Sequence, residues 1–406
     1  MLGVAALPSA IQFVGFLFMP ESPRWLVSKG RDAEARAVLQ RVRGPNAVID
    51  KEFDSIKSSN DATSNQGDGF FRILMKVMKD SHLRRALFMG CMLQTVQQLT
   101  GINTVMYYAA TIIQLSGVYD KNTAVWMAAL TAVLNFFINF AGIYLVEKIG
   151  RRKLTLFSLA GVIVSLGILA IGFKVLDDTS PSIVKPLDAS LDNCSYIQST
   201  CSACIMQEEC GFCFRVENKT GENYCYSLHP SESKSGSTMS GSGLCDEGTN
   251  EEYVWAPNWC PSPHSWLVLF GLCCYLLTFG PGMGPMPWTI NSELYPLWCR
   301  SVCFSITTAF NWFFNLVISL TFLTLTRVIT KPGAFWLYAG FGVAGFILFL
   351  LWLPETKGRS LESDIGVLLD QQEALSRSRA SSIGDIIRRR SSFGRSLSSR
   401  NSRDKE

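Results

Sequence analysis

The run LTLFSLAGVIVSLGILAIGF, residues 154–173, holds 20 residues with no charge and no proline. As a helix rising about 1.5 Å per residue, it matches the roughly 30 Å hydrocarbon thickness of a bilayer. Six other stretches share its character: residues 1–19, 86–116, 122–146, 265–290, 301–326 and 333–353. None of the seven holds Asp, Glu, Lys, Arg or His in its interior. The first could be a secretory leader, but no basic residue precedes it and no small-residue cleavage pattern follows. It is read as a span.

The composition agrees with this reading. The 406 residues would suggest two or three soluble domains by length alone. Yet 48% are apolar, 12% aromatic and only 17% charged, against about 25% charged in soluble proteins. Mean hydropathy is +0.19. A disordered chain is excluded, and a net charge of +4 gives no reason to expect nucleic acid.

The placement of the charges sets the orientation, because cytoplasmic segments collect Lys and Arg. Residues 20–85 carry 13 Lys/Arg, residues 147–153 carry four, and the tail from Pro354 carries 11. Residues 177–264 carry only four Lys/Arg against 13 Asp/Glu. That loop is expected outside, which puts the side of residue 1 outside and the C-terminus in the cytoplasm. The segments are then a transmembrane helix (1–19), a cytoplasmic loop with short helices (20–85), three transmembrane helices (86–176), an extracellular or lumenal loop (177–264), three more helices (265–353) and a largely disordered tail (354–406). The expected class is an all-α polytopic membrane protein with seven transmembrane helices, in a plasma membrane or endomembrane.

Eight of the 13 cysteines lie in the exterior loop: Cys194, Cys201, Cys204, Cys210, Cys213, Cys225, Cys245 and Cys260. Zinc is the competing use of paired C-x2-C units, but the five residues between the pairs are too few for a zinc ribbon and the compartment is oxidising. A small disulfide-rich extracellular module is expected, with its pairing left open. Sequons at Asn193 and Asn218 fit glycosylation on that face. The segment CSYIQSTCSACIMQEECGFCF, residues 194–214, resembles the start of a plexin–semaphorin–integrin cysteine-rich module. Such modules orient their neighbours, and a spacer or folding aid is the expected role.

Polar side chains inside spans face protein or a water-filled cavity. The second span carries Gln94, Gln97, Gln98, Thr100 and Asn103, then Tyr107 and Tyr108. At about 100° per residue, Gln97 and Asn103 lie about 120° apart, so an unbroken helix would not aim both at one point. Thr100-Gly101 offers a place for a bend. Asn135 and Asn139 share a face of the third span, and Asn311 and Asn315 share one of the sixth. In the fifth span, GPGMGPMP at residues 280–287 forbids regular helix bonding, and Trp288 follows. Interhelical hydrogen bonds, about 0.6 kcal/mol each, are the ordinary use of a single amide. Amides on three spans beside a broken helix point instead to a cavity, a recurring transporter device. Amides and an indole suit a neutral polyhydroxylated solute, whereas carboxylate or phosphate ligands would call for Arg or Lys.

The motifs PESPR (20–24), EKIGRR (147–152), PETKGR (354–359) and QQLTGINTVMYY (97–108) together resemble the sugar porter family of the major facilitator superfamily, over nearly the whole chain. Glu293 and Arg300 fit the same pattern. The resemblance implies substrate binding by Gln97, Gln98, Asn103, Asn135, Trp288 and Asn311, with Tyr107 and Tyr108 as outer-gate aromatics. It also implies ion pairs at the cytoplasmic gate from Arg24, Glu147, Arg151, Arg152, Glu293, Arg300, Glu355 and Arg359. Hexose facilitators of the family often carry an acid where Gly280 stands. The cysteine-rich loop resembles that of the family's proton-coupled inositol branch, which implies myo-inositol and protons as the transported partners. A facilitative hexose uniporter and a non-transporting piece remain the alternatives. A seven-span receptor is disfavoured by the basic motifs and the broken fifth span.

The family has twelve spans, and this chain matches from the sixth onward. The expectation is therefore the C-terminal part of a twelve-helix fold, with half a binding site and the proton-carrying carboxylate in the half that is not matched. No enzyme activity, metal or cofactor is expected. In residues 20–85, Ser22-Pro23 reads as a helix start and Gly44-Pro45 as a stop. In the tail, Asp364 with Leu368-Leu369 resembles a sorting signal, and Arg388–Arg390 lie among serines.

Overall fold

The computed structural model describes residues 6–64, 69–118, 120–183, 194, 200–207, 210–215, 223–230, 238–240, 253–256 and 259–357. Asn193, Asn218, Cys245, Arg359 and the tail signals lie outside those residues. The chain divides into two compact units: residues 1–81 with 295–303, and residues 82–294 with 304–406.

The first unit contains α1 (Ala6–Leu17), α2 (Pro23–Ser28), α3 (Asp32–Arg43), α4 (Asp50–Ser64) and α5 (Phe70–Lys79). Pro23 opens α2, where its missing N–H costs nothing, although the Ser22 side chain makes no capping bond. Gly44 ends α3 at φ 98°. The Gln40 amide donates to the carbonyls of Gly44 (2.7 Å), Pro45 and Ala47 (both 3.1 Å), which holds the turn into α4. Leu26, Val27, Ala35, Leu39, Ile49 and Phe53 form a small buried core among α2, α3 and α4.

Arg36 pairs with Asp50 at 2.8 Å and Arg43 with Glu52 at 2.7 Å on the rim of that core. The hydrogen bond from Arg43 holds the Glu52 carboxyl below its ordinary value near 4.5. A depressed acid adds stability above its unfolded pKa and loses it as pH falls through the folded one. The difference in thermal midpoint between the wild type and Glu52→Gln is therefore expected to be constant near neutrality and to vanish on acidification below about pH 4. Melting curves at stepped pH measure it, and a difference that persists in acid would remove this pair as its source.

The second unit contains the remaining helices, apart from two end segments. The helices are α6 (Ser81–Leu99), α7 (Ile102–Tyr107), α8 (Ala109–Leu115), α9 (Lys121–Ile149), α10 (Arg151–Asp178), α11 (Cys201–Ile205), α12 (Ser265–Phe279), α13 (Met286–Glu293), α14 (Leu297–Val328) and α15 (Lys331–Trp352). Ser81 of α6 and residues 297–303 of α14 belong to the first unit. Asp120 caps α9 by accepting from the Asn122 and Thr123 amides. Among the described residues, four helices are long and apolar enough to cross a membrane: Asn122–Ile149, Arg151–Asp178, Trp298–Val328 and Lys331–Trp352. Ala6–Leu17 and Ser265–Phe279 are shorter apolar helices. Helix α10 packs along both α12 and α15 through small residues. A Cβ on Gly161 would meet Thr278, one on Gly271 Leu169, and the Ile163 side chain lies over Gly342.

Two stretches read as single spans are interrupted. Residues 86–116 form α6, α7 and α8, and residues 265–290 form α12 and most of α13 with turns between them. The first break follows from Gly101 at φ 84°, a left-handed conformation open to glycine. The second follows from the Gly/Pro run itself.

Between α10 and α12 lie β1 (Cys210–Arg215), β2 (Tyr224–Pro230), β3 (Thr238–Ser240) and β4 (Tyr253–Ala256), an antiparallel sheet in the order β3-β2-β1-β4. Disulfides join Cys194 to Cys210, Cys201 to Cys260 and Cys204 to Cys225, and Cys213 is also disulfide-bonded. Phe212, Phe214 and Trp259 pack among these cysteines. Ser202 donates to Asp177 at 3.1 Å, tying α11 to the end of α10.

Candidate functional site

Both helix breaks open onto one cavity of about 370 Å3. Gln97, Gln98, Asn103, Asn135, Trp288 and Asn311 all line it, so the six side chains singled out for substrate are brought together. Tyr107, Asn139, Asn315, Trp312 and Phe279 complete much of the wall, and no charged side chain is among the lining residues. The size falls in the range of small-molecule pockets, about 300–1,000 Å3.

The amides are wired to one another. Asn103 donates to Gln98 Oε1 at 2.6 Å, and Gln98 donates to Asn311 Oδ1 at 3.0 Å. Asn311 donates to Gln94 Oε1 at 2.6 Å and to Gln97 Oε1 at 3.0 Å. Gln97 donates both its hydrogens, to the carbonyls of Met283 at 2.7 Å and Gly284 at 2.8 Å. Those carbonyls are freed by the break between α12 and α13, so the broken span and the amides satisfy each other. Gln97, Gln98, Gln94 and Asn311 are all buried.

Each amide has two donors and one carbonyl. Gln97 and Asn311 spend both donors on protein, which makes them the frame of the site. Among the described residues, Asn103 keeps its carbonyl and Gln98 keeps one N–H. Asn139 donates to the backbone carbonyl of Asn135 at 2.7 Å and to its side-chain oxygen at 3.3 Å. The amide group of Asn135 makes no donated bond among the described residues. These groups with the Trp288 indole, whose ring tilts against Phe304 at 6.1 Å, are the ones left for a solute.

Ser158 on α10 pins the second break. Its hydroxyl donates to Thr278 O at 2.7 Å and accepts from the Met283 N–H at 2.8 Å. Gly282 lies so close that a Cβ there would sit 2.3 Å from Ser158 Cβ. Ser158→Ala strands both backbone groups without adding bulk, at about 1 kcal/mol. Amide exchange across 280–286 is expected to quicken about fivefold, as hydrogen-exchange mass spectrometry would read it. Unchanged protection there would show that the hydroxyl does not hold the break.

The two tyrosines part company. Tyr107 lines the cavity, is mostly exposed, and accepts from Asn315 at 3.4 Å. Tyr108 turns away, donates to Ser319 O at 2.8 Å and packs on Phe322.

At the other end of α10, Arg151 pairs with Glu293 at 3.1 Å, and Thr356 donates to the second Glu293 oxygen at 2.6 Å. Glu355 accepts from the backbone N–H of Arg151 at 3.0 Å, a carboxylate at the positive end of a helix. Arg152 donates to the Leu350 carbonyl at 2.7 Å. Glu147 is exposed and forms no ion pair among the described residues. In the first unit, Arg300 donates twice to Tyr295 O, and Arg24 is exposed. Three of the eight expected gate residues (Arg151, Glu293 and Glu355) are thus joined directly.

Asn139 and Asn315 belong to the wall although only Asn135 and Asn311 were expected to bind. Their signal was present, one helical turn along the same faces. Ser158 gave none, being one serine in an apolar run.

The family profile described as "Sugar (and other) transporter" matches residues 1–194 and 245–364. A human protein named "Proton myo-inositol cotransporter" is 46% identical over 378 residues, covering 92% of this chain and 57% of that protein. "Probable inositol transporter 2" of Arabidopsis thaliana is 36% identical over 363 residues, covering 89% and 62%. The chain therefore spans less than two thirds of these relatives' length. Among solved structures, the major facilitator superfamily proton:xylose symporter XylE aligns with a TM-score of 0.58 at 21% identity, covering 90% of this chain and 58% of that one.

Proposed function

The chain belongs to the sugar transporter family, and on that premise we propose that the protein moves a neutral polyol across a membrane by alternating access, as a proton-coupled myo-inositol symporter. The observation that carries this reading is the uncharged, amide-walled cavity at the meeting of two broken helices. It offers donors and acceptors to hydroxyl groups and no counter-charge to an anion. The names of the relatives, proton myo-inositol cotransporters among them, support the substrate and the coupling ion.

In this reading Gln97 and Asn311 frame the site, and Gln98, Asn103, Asn135 and Trp288 touch the solute. Tyr107 closes the cavity from outside, with Tyr108 as its support on α14. The Arg151–Glu293–Thr356 cluster with Glu355 latches the cytoplasmic end when the site faces outward. The chain makes seven crossings, and the disulfide-bonded sheet lies outside the cell or in a lumen. No Asp, Glu or His lies inside the seven apolar runs, so the proton is carried by a group elsewhere in the protein.

A facilitative hexose carrier is the second reading, favoured by the lack of a carboxyl or imidazole group in the cavity wall. Against it, Gly280 leaves no room for the acid common in hexose facilitators, since a Cβ there would lie 2.6 Å from Ile138 Cγ2. Uptake of labelled myo-inositol into proteoliposomes, with the product of the whole coding region, separates the readings. An acid-outside gradient is expected to raise the initial rate severalfold, and equal rates with and without it would overturn coupling. Uptake by that product but not by the 406 residues alone would mark these residues as a non-transporting piece.

A further inference from the structure

Helix α5, FFRILMKVMK, shows three different faces. With Phe70 set at zero and about 100° per residue, Ile73 and Val77 fall near 300–340°, and Val77 is fully buried. Phe70, Leu74, Met78, Phe71 and Met75 fill the arc from 0 to about 140°. Four of these five are large and exposed: Phe70 47%, Phe71 78%, Met75 58% and Met78 48%. Lys79, Arg72 and Lys76 follow at about 180–240°, and the helix has no acidic residue. A soluble surface does not usually carry two phenylalanines and two methionines side by side. An apolar arc beside a basic one, on a helix of low overall hydrophobicity, is the pattern of a helix lying in a membrane interface.

The position in the chain points the same way. Only Asp80 separates α5 from α6, and Arg84 and Arg85 continue the basic run. On the reading that the chain enters the bilayer along α6, this tether keeps α5 at the headgroup level. The basic arc suits anionic headgroups, which draw Lys and Arg near the surface. We propose that α5 is an interfacial anchor whose Phe70–Phe71–Met75–Met78 face inserts between lipids of an anionic leaflet while Arg72, Lys76 and Lys79 bind their headgroups.

A photo-crosslinking residue tests the face directly. p-Benzoylphenylalanine replaces Phe71 in the product of the whole coding region, reconstituted in phosphatidylcholine vesicles with or without phosphatidylserine. Irradiation is expected to attach lipid at position 71, in a yield about twofold higher or more with phosphatidylserine. Lys76→Glu with Lys79→Glu is expected to abolish that gain. A peptide adduct would show that another part of a protein covers the face, and no adduct would show that it faces water; either overturns the proposal. The same probe at Phe137, exposed at 65% on α9, reports membrane insertion separately. Lipid attached at 137 but not at 71 would sink the anchor and leave the transporter reading standing, whereas no lipid at 137 would sink the membrane placement on which both rest.

Discussion

Asn311→Leu is expected to lower the thermal midpoint markedly and to abolish polyol binding. Asn311 takes part in three of the hydrogen bonds in the amide frame. Leucine keeps the helix but leaves Gln94 Oε1, Gln97 Oε1 and a Gln98 N–H without that partner, all on buried side chains. Two magnitudes compete. Interhelical bonds in membranes average about 0.6 kcal/mol, because the separated helices also find partners. A buried polar group left unsatisfied costs about 1–3 kcal/mol. The second governs here, because the stranded groups stay inside the cavity wall, and a loss of about 2–4 kcal/mol follows. Melting in detergent and labelled myo-inositol binding read the two effects. A variant that melts like the wild type and binds the solute would show that the frame is not needed.

Gly101→Ala is the second large effect, through the backbone. A left-handed L-residue costs about 1–2 kcal/mol. Its Cβ would also lie 2.8 Å from the ring of Tyr338, which is only 1% exposed. Overpacking of that kind costs about 1–3 kcal/mol. The chain could relieve both by straightening α6 into α7, which would swing Asn103 out of reach of Gln98. The expected result is a destabilisation of about 3 kcal/mol with weakened polyol binding. An unchanged midpoint together with unchanged affinity would show that the bend at Gly101 is dispensable.

These two residues also show what a sequence can disclose. The breaks were legible because glycine and proline act locally, at Gly101 and along residues 280–287. The composition of the wall was legible because an amide in an apolar run has few places to go. The wiring was not. That Gln97 turns to the carbonyls of Met283 and Gly284, and Asn311 to Gln94, depends on how α6, α13 and α14 meet. Neighbouring Tyr107 and Tyr108 look alike in sequence, yet the turn at Tyr108 sends one to the cavity and the other to Ser319 O. Charge motifs located the end of α10 but not its partners. Glu355 serves a backbone N–H, and Arg152 reaches a carbonyl. Eight loop cysteines allowed 105 pairings by counting alone, and it is the packing of α11 against β1, whose Phe212 pairs with Cys225, that brings Cys204 to Cys225.

The proposed substrate class rests on a cavity whose wall offers amides and no charge. Competition against labelled myo-inositol, on the purified product of the whole coding region, tests that most directly. Unlabelled myo-inositol is expected to displace the label, and myo-inositol 1-phosphate to do so at least about 100-fold less well, because an unpaired buried charge costs several kcal/mol. Equal or better displacement by the phosphate would contradict the account.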